Sequence, residues 1–176
     1  EPMPRRVIRS GTWWSGSAIG RYRISFSIPT LFVKSKGTVI WYGLPPPDGA
    51  PATDYPAQSV GTLDFVCVAR FVELKGHRQL LAAWQRAVSA VSVPIRLILV
   101  GNGPTWNAMR QLAAELKVER SVIFMGSRPN GAAYFEKADV GILLSNEPEA
   151  FGLVLLEAMS RKKPVIASRI GGIPEV

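Results

Sequence analysis

Two carboxylates draw notice by their setting. Glu149 and Glu157 lie in the stretch Ser145-Asn-Glu-Pro-Glu-Ala-Phe-Gly-Leu-Val-Leu-Leu-Glu-Ala-Met159, with seven residues between them. Glu149 falls in the loop after an apolar run, and Phe151, Gly152 and Leu153 open the helical spacing that follows. Unpaired backbone N–H groups at such a helix start, added to the positive end of the helix dipole, suit an anion such as a phosphate. Gly152 lets a ligand approach that backbone without a side chain in the way. A helix starting near Phe151 puts Glu157 about two turns in, placed to accept from the two hydroxyls of a diol beside the phosphates. The same spacing also fits an ordinary amphipathic helix with a solvated glutamate, so the surroundings must decide.

Those surroundings alternate regularly after residue 60. Apolar runs at 63–69, 95–100, 122–125, 140–144 and 165–167 read as short buried strands. Segments with helical spacing lie between and after them, at 76–90, 105–116, 131–137 and 151–160. Strands apolar on both faces, alternating with helices, predict an α/β doubly wound parallel sheet, Rossmann-like, with right-handed crossovers. Ligands of such sheets bind beyond the carboxyl ends of the strands. The segments that matter are then 70–76, 101–104, 126–130, 145–152 and 168–174. The Pro-, Gly- and Ala-rich stretch from Pro45 to Pro56 reads as linker or surface loop. The expected division is 1–60, the end of a preceding domain with its crossover and linker, and 61–176, the α/β domain.

Composition supports a packed domain. Hydrophobic residues are 47% and charged residues 19% of the 176, which argues against disorder of the whole chain. The net charge of +8 is uneven: residues 1–36 carry Arg5, Arg6, Arg9, Arg21, Arg23, Lys34 and Lys36 against Glu1 alone. With Trp13, Trp14, Tyr22 and Phe26 interspersed, that segment reads as a solvated arm or as a contact with an anionic membrane surface; nucleic-acid binding is not expected. No apolar run approaches the roughly 18 residues of a membrane span and no leader opens the chain, so the expected location is cytoplasmic, at most at the membrane surface. The chain does not open on methionine, as expected of a piece of a longer protein. One cysteine, Cys67, and one histidine, His77, cannot assemble a transition-metal cluster. Cys67 is expected in the core and His77 exposed at a helix start.

The ordered blocks resemble a known family. Val66-Cys-Val-Ala-Arg70 with Lys75-Gly76, Leu97-Ile-Leu-Val-Gly-Asn-Gly-Pro104, Val122-Ile-Phe-Met-Gly126, the two-glutamate stretch, and Pro164-Val-Ile-Ala-Ser followed by Gly-Gly-Ile-Pro-Glu-Val176 run in one order over residues 62–176. Together they resemble the donor-binding half of retaining GT-B glycosyltransferases of the family-4 type, with its Glu-x7-Glu signature. The resemblance implies that the chain binds a nucleoside-diphosphate sugar. In a complete enzyme the sugar would pass to an acceptor with retention of configuration and without cofactor or obligatory metal. It implies that Arg70 and Lys75 meet the diphosphate, that Glu149 holds donor-sugar hydroxyls, and that Glu157 takes the ribose diol. Ala150, Phe151, Gly152 and Leu153 would line the donor, with backbone N–H groups at its phosphates or sugar. Gly103 and Arg128 would complete the substrate contacts, Arg128 beside the nucleobase.

Several departures bear on this. Ala69 stands where the family has glycine. The segment Ser160-Arg-Lys-Lys163 has no helix-ending glycine, so the last helix must end by another route. Only 17–44 resembles the end of the family's acceptor domain, so the acceptor domain is a missing partner, the donor domain is incomplete at its C-terminus, and this chain alone is expected to be inactive. Gly101-Asn-Gly103-Pro-Thr-Trp106 lacks the third glycine of a dinucleotide fingerprint, which argues against NAD. The alternative is a non-catalytic nucleotide-sugar-binding or assembly module.

Overall fold

The computed structural model describes Leu44 and residues 49–176. Five strands form one parallel sheet: β1 Leu63–Val68, β2 Ile95–Val100, β3 Val122–Gly126, β4 Val140–Leu143 and β5 Val165–Ala167. Three helices connect them or follow them: α1 His77–Ala90, α2 Trp106–Glu115 and α3 Leu153–Ser160. The stretch with helical spacing at 131–137 is a 3-10 turn, Gly131–Glu136, opened by Asn130, whose side chain accepts from the Ala133 N–H. Strand order is β3-β2-β1-β4-β5. The doubly wound parallel sheet expected from the alternation is therefore present, and its order reverses between β1 and β4.

Both faces are covered, as the apolar strands require. On one face Cys67, Leu97 and Leu99 pack with Leu80, Leu81 and Trp84 of α1 and Met109 and Ala113 of α2. On the other, Val66, Ile98 and Val100 pack against Tyr134 and Phe135 of the 3-10 turn and Ala158 of α3. The period-two alternation of a strand thus sends neighbouring residues to two different cores.

At the amino ends of the strands lies a buried charge. Asp64 is 1% exposed and accepts from Arg96 Nε at 2.7 Å and Nη2 at 2.6 Å, its partner in the β1–β2 register. Tyr55 Oη donates to the same carboxylate at 3.0 Å, and burial beside that charge raises the Tyr55 pKa. Removing one partner of such a pair costs about 3–5 kcal/mol. Arg96 also donates to the Ala57 carbonyl, and the Ala52 N–H to that of Ala133. Residues 49–60, expected as linker or loop, form no helix or strand, yet Ala52 and Tyr55 are buried in the second core.

Helices α2 and α3 end without glycine. Lys117 and Lys162 stand in the left-handed region, at φ 57° and 60°. In each case the following N–H reaches back five residues: Val118 to the Ala113 carbonyl and Lys163 to that of Ala158. Each lysine N–H bonds the carbonyl three residues before it, giving a glycine-free version of the common helix stop.

Candidate functional site

The carboxyl ends of β1, β4 and β5 carry three loops that touch one another. The Asn146 N–H donates to the Leu74 carbonyl at 3.0 Å, joining the loop after β4 to that after β1. The two approach so closely at Gly76 that a Cβ there would collide with the Leu144 carbonyl. From the third loop the Gly172 N–H donates to the Glu149 carbonyl at 2.8 Å. Gly171, at φ +57°, lies so near the Glu149 backbone that a side chain would displace it. Short apolar strands ending at one level make these approaches possible, and the glycines permit them.

A cavity of about 330 Å³ opens between the loops after β1 and β4, at the reversal of strand order. Arg70, Lys75, Glu149, Ala150, Phe151, Gly152 and Leu153 line it, with Val68, Ala69, Leu143 and Val154 as its apolar floor and wall. Lys75 Nζ donates to Glu149 Oε2 at 2.5 Å, and Ser145 Oγ donates to the same oxygen at 2.9 Å. Arg70 is exposed, and no described residue bonds or pairs with its guanidinium. One carboxylate, two cations and the start of a helix therefore share one small space.

Helix α3 begins at Leu153, two residues later than expected, because Gly152 stands in the left-handed region at φ 76° and Phe151 is buried before the first turn. The N–H groups that open α3, at Leu153 and Val154, belong to this end of the helix, beside the cavity, while that of Leu155 already donates to the Gly152 carbonyl at 2.8 Å. Glu157 is consequently four residues into the helix, about one turn rather than two. It is half-buried, burial raises its pKa while Arg161 opposes the rise, and no hydrogen bond among the described residues occupies its carboxylate.

Three of the residues singled out from sequence do not line the cavity. Glu157 lies one turn along α3 from it. Arg128 is ion-paired to Asp54, which also accepts from Tyr134 Oη at 2.6 Å. Gly103 packs on the Phe71 backbone, where a Cβ would collide with the Phe71 carbonyl, so a packing requirement alone accounts for this glycine. His77 is also not where it was expected. It is 3% exposed, stacked on Phe71 with ring centroids 4.0 Å apart, and burial pushes its pKa down to about 4. Cys67 is buried in the core as expected, and burial pushes its pKa up to about 12.

Sequence reasoning put Ser145 and the Gly171–Gly172 pair in segments beyond the strand ends but gave these residues no role of their own. The signals were a hydroxyl four residues before Glu149 and a double glycine after the last strand. A larger cleft of about 540 Å³, on the α1 face, is walled by Leu63, Phe65, Trp84, Ile142 and Ile166. It brings no charged side chain together and offers nothing to hold a charged ligand. Among the described residues no helix is long and apolar enough to cross a membrane, and no group of three or more His, Cys, Asp or Glu could hold a metal ion. The basic, aromatic segment 1–36 lies outside the described residues.

The chain is similar to known proteins of one family. The family described as "Glycosyl transferases group 1" matches residues 57–176. The N-acetyl-alpha-D-glucosaminyl L-malate synthase of Bacillus anthracis is 40% identical over 109 residues, 62% of this chain and 28% of that protein. A D-inositol 3-phosphate glycosyltransferase of Corynebacterium urealyticum is 36% identical over 115 residues, 60% of this chain and 27% of that protein. Among solved structures, Anabaena HepE in complex with UDP and glucose has a TM-score of 0.59 at 27% identity, over 65% of this chain and 32% of its own. A glycosyltransferase from Rickettsia africae has a TM-score of 0.60 at 27% identity, over 66% of this chain and 31% of its own. The chain thus matches less than a third of the length of these relatives.

Proposed function

Because the chain belongs to the glycosyl transferases group 1 family, we propose that its α/β domain is the donor-binding domain of a retaining GT-B glycosyltransferase of the family-4 type. The ligand is a nucleoside-diphosphate sugar. In the whole protein, a domain on the amino-terminal side of about residue 60 brings the acceptor, and the reaction takes place in the cytoplasm. The observation that carries this reading is the convergence of Arg70, Lys75, Glu149 and the start of α3 on one cavity at the reversal of strand order. HepE, similar in fold and 28% identical, has been solved with UDP-glucose, which supports the ligand class.

In this reading the diphosphate lies between the first loop and α3. Arg70 and Lys75 supply positive charge, and the N–H groups of the first α3 turn add the helix dipole. Charge building on the leaving diphosphate is stabilised by groups already in place, which is the main electrostatic lever of such a site. Glu149 accepts from the sugar hydroxyls and orients the ring; it is not assigned as a nucleophile. Glu157, one turn along, takes the ribose diol, and the 126–128 segment with Arg128 runs beside the base.

The test depends on phosphate count. A thermal-shift panel of UDP-, GDP- and ADP-sugars selects the nucleotide. The Arg70→Ala/Lys75→Ala double variant is then titrated with that nucleoside diphosphate and with the free nucleoside. Each lost charge-assisted contact is worth roughly 1.5–3 kcal/mol, so diphosphate affinity should fall about tenfold or more for each. The nucleoside should be nearly unaffected. Equal losses for both ligands, or none for either, would remove the phosphate role.

A further inference from the structure

We infer that Ser145 is a positioning residue for Glu149, fixing one carboxylate oxygen so that the other is presented to the donor sugar. The inference rests on the donor-site reading above and adds the group that gives Glu149 its direction. Ser145 is 3% exposed and its hydroxyl donates to Glu149 Oε2 at 2.9 Å. Lys75 donates to that same oxygen at 2.5 Å. Two donors on Oε2 leave Oε1 as the oxygen free to accept from a ligand. The Glu149 main chain is held independently, by the Gly172 N–H on its carbonyl and by the close approach of Gly171.

The two donors differ in how they hold. Lys75 is a flexible cation that must turn toward the phosphates once a diphosphate enters. Ser145 is short, buried and set between β4 and Asn146, whose N–H is bonded to the Leu74 carbonyl. When Lys75 turns, the serine hydroxyl remains on Oε2 and keeps the carboxylate from rotating. Ser145 therefore governs recognition of the sugar of a sugar nucleotide and not of the nucleotide itself.

The experiment compares the unmodified chain with Ser145→Ala and Ser145→Thr by calorimetry. The probes are three pairs, UDP with UDP-glucose, GDP with GDP-mannose and ADP with ADP-glucose, and the tightest-binding pair is read. Thermal unfolding checks that each variant is folded. In Ser145→Ala the affinity of the sugar nucleotide relative to its diphosphate should fall about 5–10-fold, while the diphosphate alone binds as before. Ser145→Thr, which keeps the hydroxyl, should restore the ratio. If Ser145→Ala does not fold, Ser145→Cys, with a weaker donor of similar size, is read the same way. An unchanged ratio, an equal loss for both members of the pair, or no recovery with threonine overturns the positioning role and leaves the donor site standing. Failure of the unmodified chain to bind any pair overturns the donor site, and this role with it.

Discussion

His77 gives this protein a calculable weakness in mild acid. It is the single histidine of the chain, almost fully buried, stacked on Phe71, with both ring nitrogens lacking a hydrogen-bond partner among the described residues. Burial, helped by the nearby Lys75 charge, pushes its pKa down from 6.5 to about 4. In the unfolded chain the ring protonates near 6.5, so between pH 6.5 and 4 the unfolded state binds more protons and stability rises with pH. The contribution is fully present above 6.5 and is lost as pH falls toward 4. For those two pKa values the loss is about 0.8 kcal/mol at pH 6 and about 2 kcal/mol at pH 5. His77→Phe keeps a flat ring on Phe71 and removes the titration. Urea unfolding of both proteins at pH 7.5, 6 and 5, at constant ionic strength, isolates the effect because carboxylates titrate alike in each. The stability difference between the two should move by about 2 kcal/mol in favour of the variant between pH 7.5 and 5. A difference that stays constant with pH, or a histidine NMR midpoint near 6.5 in the folded chain, would show that the ring is solvated and the reasoning wrong.

Three further outcomes are expected. Glu157→Gln should weaken binding of the preferred nucleoside diphosphate by on the order of 1–3 kcal/mol in calorimetry. Its raised pKa means that burial opposes the charged form, so the variant should be no less stable at pH 7; unchanged affinity in a folded variant removes Glu157 from the site. Lys162→Gly should stabilise the chain by about 1 kcal/mol, since a left-handed residue is strained unless it is glycine; a loss in denaturant midpoint would contradict the geometry of the α3 stop. Deleting residues 1–36 should reduce sedimentation with anionic vesicles, and salt should weaken binding of the full chain, because exposed charges are screened over about 10 Å at 0.1 M; equal sedimentation ends the membrane idea.

The amino-acid sequence by itself determined the strands, their order of appearance and most of the cavity lining. Apolar runs too short for helices and flanked by helical spacing leave little choice but a parallel sheet, and β2 and β5 fall where the runs at 95–100 and 165–167 put them. Because ligands of such sheets lie at the carboxyl ends, the residues just after β1 and β4 were legible as Arg70, Lys75 and the 149–153 stretch. Long-range approaches left no local trace. Nothing in an apolar strand announces that Asp64 will find Arg96 and Tyr55, or that a Pro-rich segment will bury Ala52 and Tyr55 against Tyr134. His77 looked solvated because a helix start is normally at the surface, yet Phe71 folds over it. Only the tertiary structure put Ser145 and Lys75 on the same oxygen of Glu149, from loops separated by some seventy residues of chain. It also set the start of α3, where Gly152 and the burial of Phe151 overrode helical spacing. Periodicity records which residues must leave water, whereas the direction of a carboxylate depends on partners that only packing brings within hydrogen-bond reach.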